Sequence, residues 1–244
     1  GIVTEEFWER GIIISSAYAA NAEPVAEYCL SQILFSLKHG WKFVRAIERE
    51  HKYPPRWDVP GAYDTTVGLV SLGMIGRRVA ELLKPFDLHV LAYSSISPEA
   101  AAELGVELCS LEDVFKRSDV VSLHTAWLPE TEGMIKGEHF RLMKPGATFM
   151  NTARGAVVNE PEMIQVLQER PDLWAILDVT HPEPPEPGSP LYTLPNVVLT
   201  PHIAGSMSAE CRRMGRYMIQ ELERYMAGEP LRWAVTREQF QRMA

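Results

Sequence analysis

The fold of this chain is decided by one stretch, Gly68-Leu69-Val70-Ser71-Leu72-Gly73-Met74-Ile75-Gly76. An apolar run of strand length leads into it from Thr66, and a helical pattern follows it. Gly73 and Gly76 fit the second and third glycines of the G-x-G-x-x-G fingerprint, and Ser71 stands at the first. Such glycines allow a tight turn and bring a pyrophosphate close to a helix N-terminus. The stretch therefore predicts a dinucleotide-binding turn, and a strand–helix turn without a ligand is the alternative.

Strands and helices alternate along most of the chain. Segments of strand length and apolar character occupy residues 66–72, 88–93, 106–108, 119–124, 147–151, 175–179 and 197–199. Helical patterns or loops separate them, and Ser97 before Pro98 is typical of a helix start. Nearly continuous apolar strands connected by helices indicate a parallel sheet covered on both faces. The predicted fold class is α/β, a Rossmann-type doubly wound parallel sheet.

Long helices flank the predicted sheet. Helical spacing of apolar residues runs over 21–49, with Asn21 as the predicted N-cap, and a proline-rich loop follows over 54–64. A last helix is predicted over 206–226, with Gly228 just after its end. The chain is accordingly divided into residues 1–20, residues 21–205 as the dinucleotide-binding domain with the long helix, and residues 206–244 as a C-terminal helix and tail.

Composition and charge restrict the class of protein. The net charge is −8 and no run of Lys or Arg occurs, which argues against nucleic acid as a partner. The three cysteines are far apart in sequence, which indicates a reducing compartment rather than a disulfide framework. No apolar stretch has membrane-spanning length, and no signal-peptide pattern opens the sequence. We therefore expect a cytoplasmic protein that binds no membrane.

The residue about twenty positions after the turn bears on the choice of cofactor. An acid at that position binds the ribose hydroxyls of NAD and repels the 2′-phosphate of NADP. This chain has Ser94 there, and no Arg or Lys follows closely to hold a phosphate. We therefore expect NAD as the cofactor and leave NADP open.

Three polar segments each follow a predicted strand further along the chain. They are Asn151-Thr152-Ala153-Arg154-Gly155, Leu177-Asp178-Val179-Thr180-His181-Pro182-Glu183-Pro184 and Thr200-Pro201-His202-Ile203-Ala204-Gly205. The carboxyl ends of parallel strands line the ligand crevice of such a sheet. We therefore expect Arg154, Glu183 and His202 to converge there.

These segments, together with residues 119–124 and 142–147, resemble the signatures of the D-isomer-specific 2-hydroxyacid dehydrogenase family. The family includes phosphoglycerate dehydrogenases and glyoxylate/hydroxypyruvate reductases, and the resemblance runs from about Gly11 to Leu231. It implies an oxidoreductase that transfers a hydride between a nicotinamide cofactor and a small D-2-hydroxy acid or 2-keto acid.

The resemblance also implies a role for each site residue. Arg154 would bind the substrate carboxylate and polarise the carbonyl, His202 would exchange a proton with the carbonyl oxygen, and Glu183 would orient the far imidazole nitrogen. No metal is expected, because the histidines lack ligand spacing with other donors. The expected cofactor contacts are Ser71, Gly73, Met74, Ile75, Gly76, Ser94, His124, Thr152, Ala153, Asp178 and Gly205. Of these, Asp178 would contact the nicotinamide amide, and His124 would form a wall of the site.

Family members carry an N-terminal substrate domain, of which we expect residues 1–20 to be a flavodoxin-like remnant. The chain should then bind its cofactor but turn over poorly. The predicted long helix resembles the arm by which family members form homodimers. Two other hypotheses stay open. One is a non-catalytic NAD(H)-binding regulator of the corepressor type, which shares the Arg, Glu and His set, and the other is a nucleotide-binding module that has lost its chemistry.

Overall fold

The computed structural model describes residues 3–241 of the chain, and nine strands lie within that range. They are β1 (Ile14–Ser15), β2 (Tyr63–Val70), β3 (Asp87–Tyr93), β4 (Val106–Leu108), β5 (Val120–Leu123), β6 (Thr148–Asn151), β7 (Trp174–Leu177), β8 (Val197–Leu199) and β9 (Ala234–Val235). The α-helices in the same range are α1 (Glu5–Glu9), α2 (Tyr18–Leu37), α3 (Gly40–Glu50), α4 (Met74–Leu83), α5 (Pro98–Leu104), α6 (Leu111–Arg117), α7 (Gly137–Leu142), α8 (Glu160–Glu169), α9 (Cys211–Met226) and α10 (Arg237–Phe240). None of these described helices is both long and apolar enough to cross a membrane.

Seven of the strands form one parallel sheet, in the order β4-β3-β2-β5-β6-β7-β8. Each of the seven predicted strands is present, so the predicted doubly wound α/β fold is confirmed. The order reverses between β2 and β5, because the chain first builds the sheet outward through β3 and β4 and then returns to the other side of β2. Ligands of such sheets bind outside the carboxyl ends of the strands at this reversal.

Helices cover both faces of the sheet and fix its strands. On one face, α6 and α7 pack through Phe115 and Phe140 onto Phe149 of β6. On the other face, α2 and α4 pack through Ile33 and Leu83 onto the strands. All five side chains are buried, and burial of each contributes about 1.5–3 kcal/mol relative to exposure. The loops after β5 to β8 therefore stand on a rigid support.

The long helix predicted over 21–49 is instead two helices, α2 and α3. The chain breaks at His39, whose φ of 49° lies in the left-handed region. It then passes Gly40, where a Cβ would overlap the ring of Phe35. The prediction of Asn21 as N-cap is also wrong, because α2 begins before it and Asn21 lies inside the helix.

The last long helix begins later than predicted, at Cys211 rather than Ser206. The Ser206 N–H donates to Asn21 Oδ1 instead, and Ser208 is left-handed with φ 46°, so the segment turns before the helix starts. Gly228 follows the helix with φ 71°, the conformation that the predicted C-terminal glycine requires.

Both ends of the described chain meet in a small unit apart from the main sheet. β1 pairs with β9 in an antiparallel two-stranded sheet, and an aromatic contact and an ion pair join α1 to α10. The predicted segments 1–20 and 206–244 therefore contact each other. Residues 1–2 and 242–244 of these segments lie outside the described residues.

Candidate active site

A cleft of about 350 Å³ opens at the carboxyl ends of the central strands, where the strand order reverses. Predicted site residues that line it are Gly73, Met74, Ile75, His124, Thr152, Ala153, Arg154, Asp178, His202 and Gly205. Ser71 and Ser94 line a second pocket of about 370 Å³, which shares Thr125 with the cleft. Glu183 lines a third pocket of about 490 Å³, which shares Asp178 and His202 with the cleft. The structure thus brings the predicted residues to one edge of the sheet.

The predicted phosphate-binding turn has the geometry that its fingerprint requires. Gly73 is the N-cap of α4, and apart from its chain neighbours no atom of the described residues lies within 4 Å of the position that its Cβ would occupy. A Cβ on Gly76 would collide with the backbone carbonyl of Ser71, so the helix approaches the turn closely. Ser71 has a φ of 77°, a conformation that glycine adopts without strain. The first turn of α4 therefore lines the open cleft, and a helix N-terminus of this kind suits an anion.

Arg154 is held by the loop after β6. The buried side chain of Asn151 brackets this loop, because its Oδ1 accepts from the Ala153 N–H and its Nδ2 donates to the Arg154 carbonyl, both at 2.9 Å. Gly155 lies so close to the Thr180 backbone that no Cβ fits between them. The loops after β6 and β7 are therefore in backbone contact, which sets the position of the half-buried Arg154 side chain in the cleft.

His202 and Glu183 form a close pair beside the cleft. His202 Nδ1 lies 2.6 Å from Glu183 Oε1, a distance at which Nδ1–H donates to the carboxylate. The His202 backbone is left-handed with φ 53°, and its N–H donates to the Asp178 carbonyl at 3.0 Å. Because Nδ1 is engaged by Glu183, Nε2 is the nitrogen available for proton exchange in the cleft.

Asp178 anchors the loop that carries His202. Its buried carboxylate accepts from the N–H groups of Ile203 and Ala204 at 2.9 Å and from the Thr200 hydroxyl at 2.6 Å. These bonds satisfy loop N–H groups that have no partner in the sheet. The resemblance implied a cofactor contact for Asp178, and the structure adds the role of holding the histidine loop.

Residues 30–204 match the family model described as D-isomer specific 2-hydroxyacid dehydrogenase, NAD binding domain. The chain belongs to this family. It is 37% identical over 237 residues to the glyoxylate reductase of Pyrococcus furiosus, covering 93% of this chain and 70% of that one. It is 35% identical over 223 residues to the D-3-phosphoglycerate dehydrogenase of Mycobacterium tuberculosis, covering 90% of this chain and 42% of that one. The family predicted from the Arg, Glu and His segments is confirmed.

The fold is shared with a solved structure of a 2-hydroxyacid dehydrogenase. The NAD-complexed D-isomer specific 2-hydroxyacid dehydrogenase of Lactobacillus delbrueckii ssp. bulgaricus has a TM-score of 0.81 at 28% identity. The match covers 94% of this chain and 74% of that one. This chain spans less than half the length of the phosphoglycerate dehydrogenases that it matches.

In this 2-hydroxyacid dehydrogenase domain, His124 lines the cleft as a neutral ring. Its Nε2 forms a 2.9 Å hydrogen bond with the hydroxyl of Ser122. Burial lowers the pKa of His124 to about 4, because the charged ring would lose its hydration. The ring is therefore uncharged at neutral pH.

Sequence reasoning missed four residues of α2 that line the cleft, Ala22, Val25 and the polar Tyr18 and Asn21. Asn21 Oδ1 accepts from the Ser206 N–H at 2.7 Å, and Gly205 packs against the same side chain. The helix thereby holds the end of the histidine loop. The available signal was Asn21, a polar residue near the alanine-rich start of α2. The same residue is also typical of an N-cap, which is how we interpreted it.

Proposed function

We propose that this chain is an NAD-dependent dehydrogenase that interconverts small D-2-hydroxy acids and 2-keto acids. One observation carries the proposal: the 2.6 Å pair of His202 and Glu183 stands at the cleft that Arg154 lines together with the phosphate-binding turn. The site thus combines an imidazole for the proton, a guanidinium for the carboxylate and a turn for the cofactor. These are the groups that hydride transfer to a 2-keto acid needs.

Each residue of the set has a distinct task in the proposed reaction. Arg154 offers the planar donors of its guanidinium to the substrate carboxylate and polarises the adjacent carbonyl. His202 donates its Nε2 proton to the carbonyl oxygen during reduction and accepts a proton from the hydroxyl during oxidation. Glu183 stabilises the protonated ring and fixes its orientation. The nicotinamide, when bound, supplies or accepts the hydride.

The proposed cofactor is NAD. The turn fits a dinucleotide, because the space where a Gly76 Cβ would lie is taken by the Ser71 carbonyl and Gly73 faces open space. The matching family model is that of an NAD-binding domain. Ser94 offers no negative charge against a 2′-phosphate, so NADP is tested beside NAD.

We further propose that residues 21–205 act as the cofactor domain and that the unit built from β1, β9, α1 and α10 belongs to a second, substrate-binding domain. The separation of that unit from the main sheet supports this division. A cytoplasmic location is proposed from the three cysteines, which are all free thiols.

The proposed assembly is a homodimer formed through α2 and α3. These helices expose the apolar side chains of Phe35 and Ile47, and Tyr53 follows them with 88% of its surface exposed. Sedimentation at micromolar concentration should give a particle of twice 27.5 kDa. A species of 27.5 kDa under these conditions would contradict the proposal.

Oxidation of NADH tests the proposed activity. The substrates are glyoxylate, hydroxypyruvate, pyruvate and phosphohydroxypyruvate, each assayed with NADH and with NADPH. We expect slow but measurable turnover of at least one acid, loss of that turnover in His202→Ala, and retention of NADH binding by fluorescence titration. His89→Ala is the matched control, because His89 also pairs with a carboxylate, that of Asp64. Tight NADH binding without turnover of any acid would favour the regulator hypothesis instead.

A further inference from the structure

Leu72, the second residue of the phosphate-binding turn, is held at three points. Its N–H donates to Ser94 Oγ at 3.3 Å, and its carbonyl accepts from Arg77 Nε at 3.0 Å. Its side chain is buried in the core between the sheet and α2 and α4. Two side chains from different elements therefore clamp the backbone of one turn residue.

The backbone conformation of Ser71, the residue before Leu72, explains why the turn needs these contacts. Ser71 has a φ of 77°, a region that residues with a Cβ adopt only at a cost. Its N–H donates to the Tyr93 carbonyl at 2.8 Å, and its own carbonyl lies against Gly76. These two contacts fix the N–H and the carbonyl of Ser71, so its backbone cannot relax to a negative φ. The contacts of the next residue, Leu72, must therefore offset the strain.

We propose that Ser94 is a positioning residue for the phosphate-binding turn and does not select between NAD and NADP. This inference rests on the proposed binding of NAD(H). An acid at position 94 would accept from the ribose hydroxyls and repel a 2′-phosphate. The Ser94 hydroxyl has no charge to repel a phosphate, and its oxygen is engaged by the Leu72 N–H. Because the turn serves the pyrophosphate that both cofactors share, Ser94 acts on both alike.

The clamp links the two departures of this chain from the dinucleotide fingerprint. Ser71 stands where the fingerprint has glycine, and Ser94 stands where it has an acid. The first substitution introduces a strained conformation and the second supplies a hydroxyl that helps to hold it. A glycine at position 71 should therefore make the hydroxyl at position 94 dispensable.

Cofactor affinities of four variants test this coupling. Ser94→Ala should weaken NADH and NADPH binding alike, by about threefold to tenfold, with their ratio unchanged within about twofold. Ser71→Gly in the Ser94→Ala background should restore both affinities, and Ser94→Thr should keep them because it retains the hydroxyl. Ser31→Ala is the control, since it removes an exposed hydroxyl bonded to a helix carbonyl. A change in the NADH to NADPH ratio of more than about fivefold in Ser94→Ala, or no recovery in the double variant, would overturn the inference.

A second measurement needs no cofactor. Hydrogen exchange of the Leu72 amide in the cofactor-free protein should be about threefold to tenfold faster in Ser94→Ala, because its acceptor is gone, and close to the wild-type rate in Ser94→Thr, which keeps the hydroxyl. An unchanged exchange rate of the Leu72 amide in Ser94→Ala would show that the Ser94 hydroxyl does not hold Leu72. If the wild type bound neither cofactor, the proposed function would fail, while the exchange result would still decide whether the clamp exists.

Discussion

Among the described residues, two histidine–carboxylate pairs stand at opposite edges of the parallel sheet. His89 Nε2 lies 2.8 Å from Asp64 Oδ1 near the amino ends of β2 and β3. His202 Nδ1 lies 2.6 Å from Glu183 Oε1 beyond the carboxyl ends of β7 and β8. Both pairs are largely exposed, with side-chain exposures of 65% and 77% for the first and 50% and 42% for the second. The two contacts are nearly the same, yet we assign chemistry to the second.

The difference lies in what the sheet places around each pair. The carboxyl ends of the strands bring the Arg154 loop and the phosphate-binding turn to the cleft that His202 lines. The loop that carries His202 is fixed by the buried Asp178 carboxylate. The His89 ring projects from a strand at the other edge, where an exposed ion pair contributes about 0–1 kcal/mol. We therefore assign chemistry from the surroundings of a pair and not from its geometry.

Removing each histidine in turn should give the largest difference between the two pairs, and the difference is in kcat. His202→Ala should lower kcat by about a thousandfold, because the carbonyl oxygen loses its proton donor, while NADH affinity changes little. His89→Ala should leave kcat within about twofold of the wild type, since its pair touches no reacting group. Steady-state kinetics and NADH titration measure both. Turnover that survives in His202→Ala would show that another group donates the proton.

A methyl group added at the carboxyl-end edge should have the next largest effect. In Gly155→Ala the new Cβ would overlap the Thr180 backbone, which must shift the Arg154 loop. We expect a loss of kcat/KM of about a hundredfold and a loss of stability of about 1–3 kcal/mol.

The matched control for Gly155→Ala is Gly215→Ala. Gly215 lies inside α9, and apart from its chain neighbours and its own helix backbone no atom of the described residues is within 4 Å of the position of its Cβ. Alanine should raise the free energy of unfolding by about 0.5–1 kcal/mol there, as expected in a helix interior, and leave turnover unchanged. Urea unfolding and kinetics of both variants give the comparison. Equal behaviour of the two variants would mean that the loop contact at Gly155 does not position Arg154.

The half-buried His124 at the carboxyl-end edge should make stability depend on pH. Burial lowers the pKa of His124 from 6.5 to about 4, so the unfolded chain binds a proton between these values that the folded chain does not. The stabilising contribution is complete above pH 6.5 and is lost as the pH falls towards 4, by about 3 kcal/mol in all. His124→Gln cannot titrate and should flatten this part of the curve.

Urea unfolding at a series of pH values between 7 and 4 measures this slope. Burial also lowers the pKa of His39, so the variant should keep a smaller slope of the same sign. His124→Gln must therefore be compared with the wild type at each pH. If the free energy of unfolding had the same pH dependence in the two proteins, the burial of His124 would not be its cause.

The carboxyl-end edge could be predicted from the sequence because every functional segment follows a short apolar run. Such runs before Arg154 and His202 fit buried parallel strands, and their carboxyl ends meet at one edge by the rules of the fold. Local signals also sufficed where a helix start depends on its own residues. Ser97 accepts from the Ala100 N–H and α5 begins at Pro98, as predicted.

Features that depend on distant contacts could not be predicted in this way. The break at His39 depends on the packing of Gly40 against the Phe35 ring, which the helical spacing of apolar residues does not reveal. The pairing of β1 with β9 joins the two ends of the chain, and neither strand is longer than two residues. The anchoring of the histidine loop by Asp178 was missed for the same reason, because its partners lie in another segment.

The smallest expected effect is the coupling in stability within each pair. Double-mutant cycles with His202→Ala and Glu183→Gln, and with His89→Ala and Asp64→Asn, should each give a coupling in unfolding free energy of about 0–1 kcal/mol, because all four side chains are solvent-exposed. In turnover the cycles should differ. Glu183→Gln should lower kcat in the wild type but change it by less than about twofold in a His202→Ala background, since Glu183 acts through the imidazole. A coupling in stability above about 2 kcal/mol for His202 and Glu183 would make that pair a structural element, and its resemblance to the pair at the other edge would then be misleading.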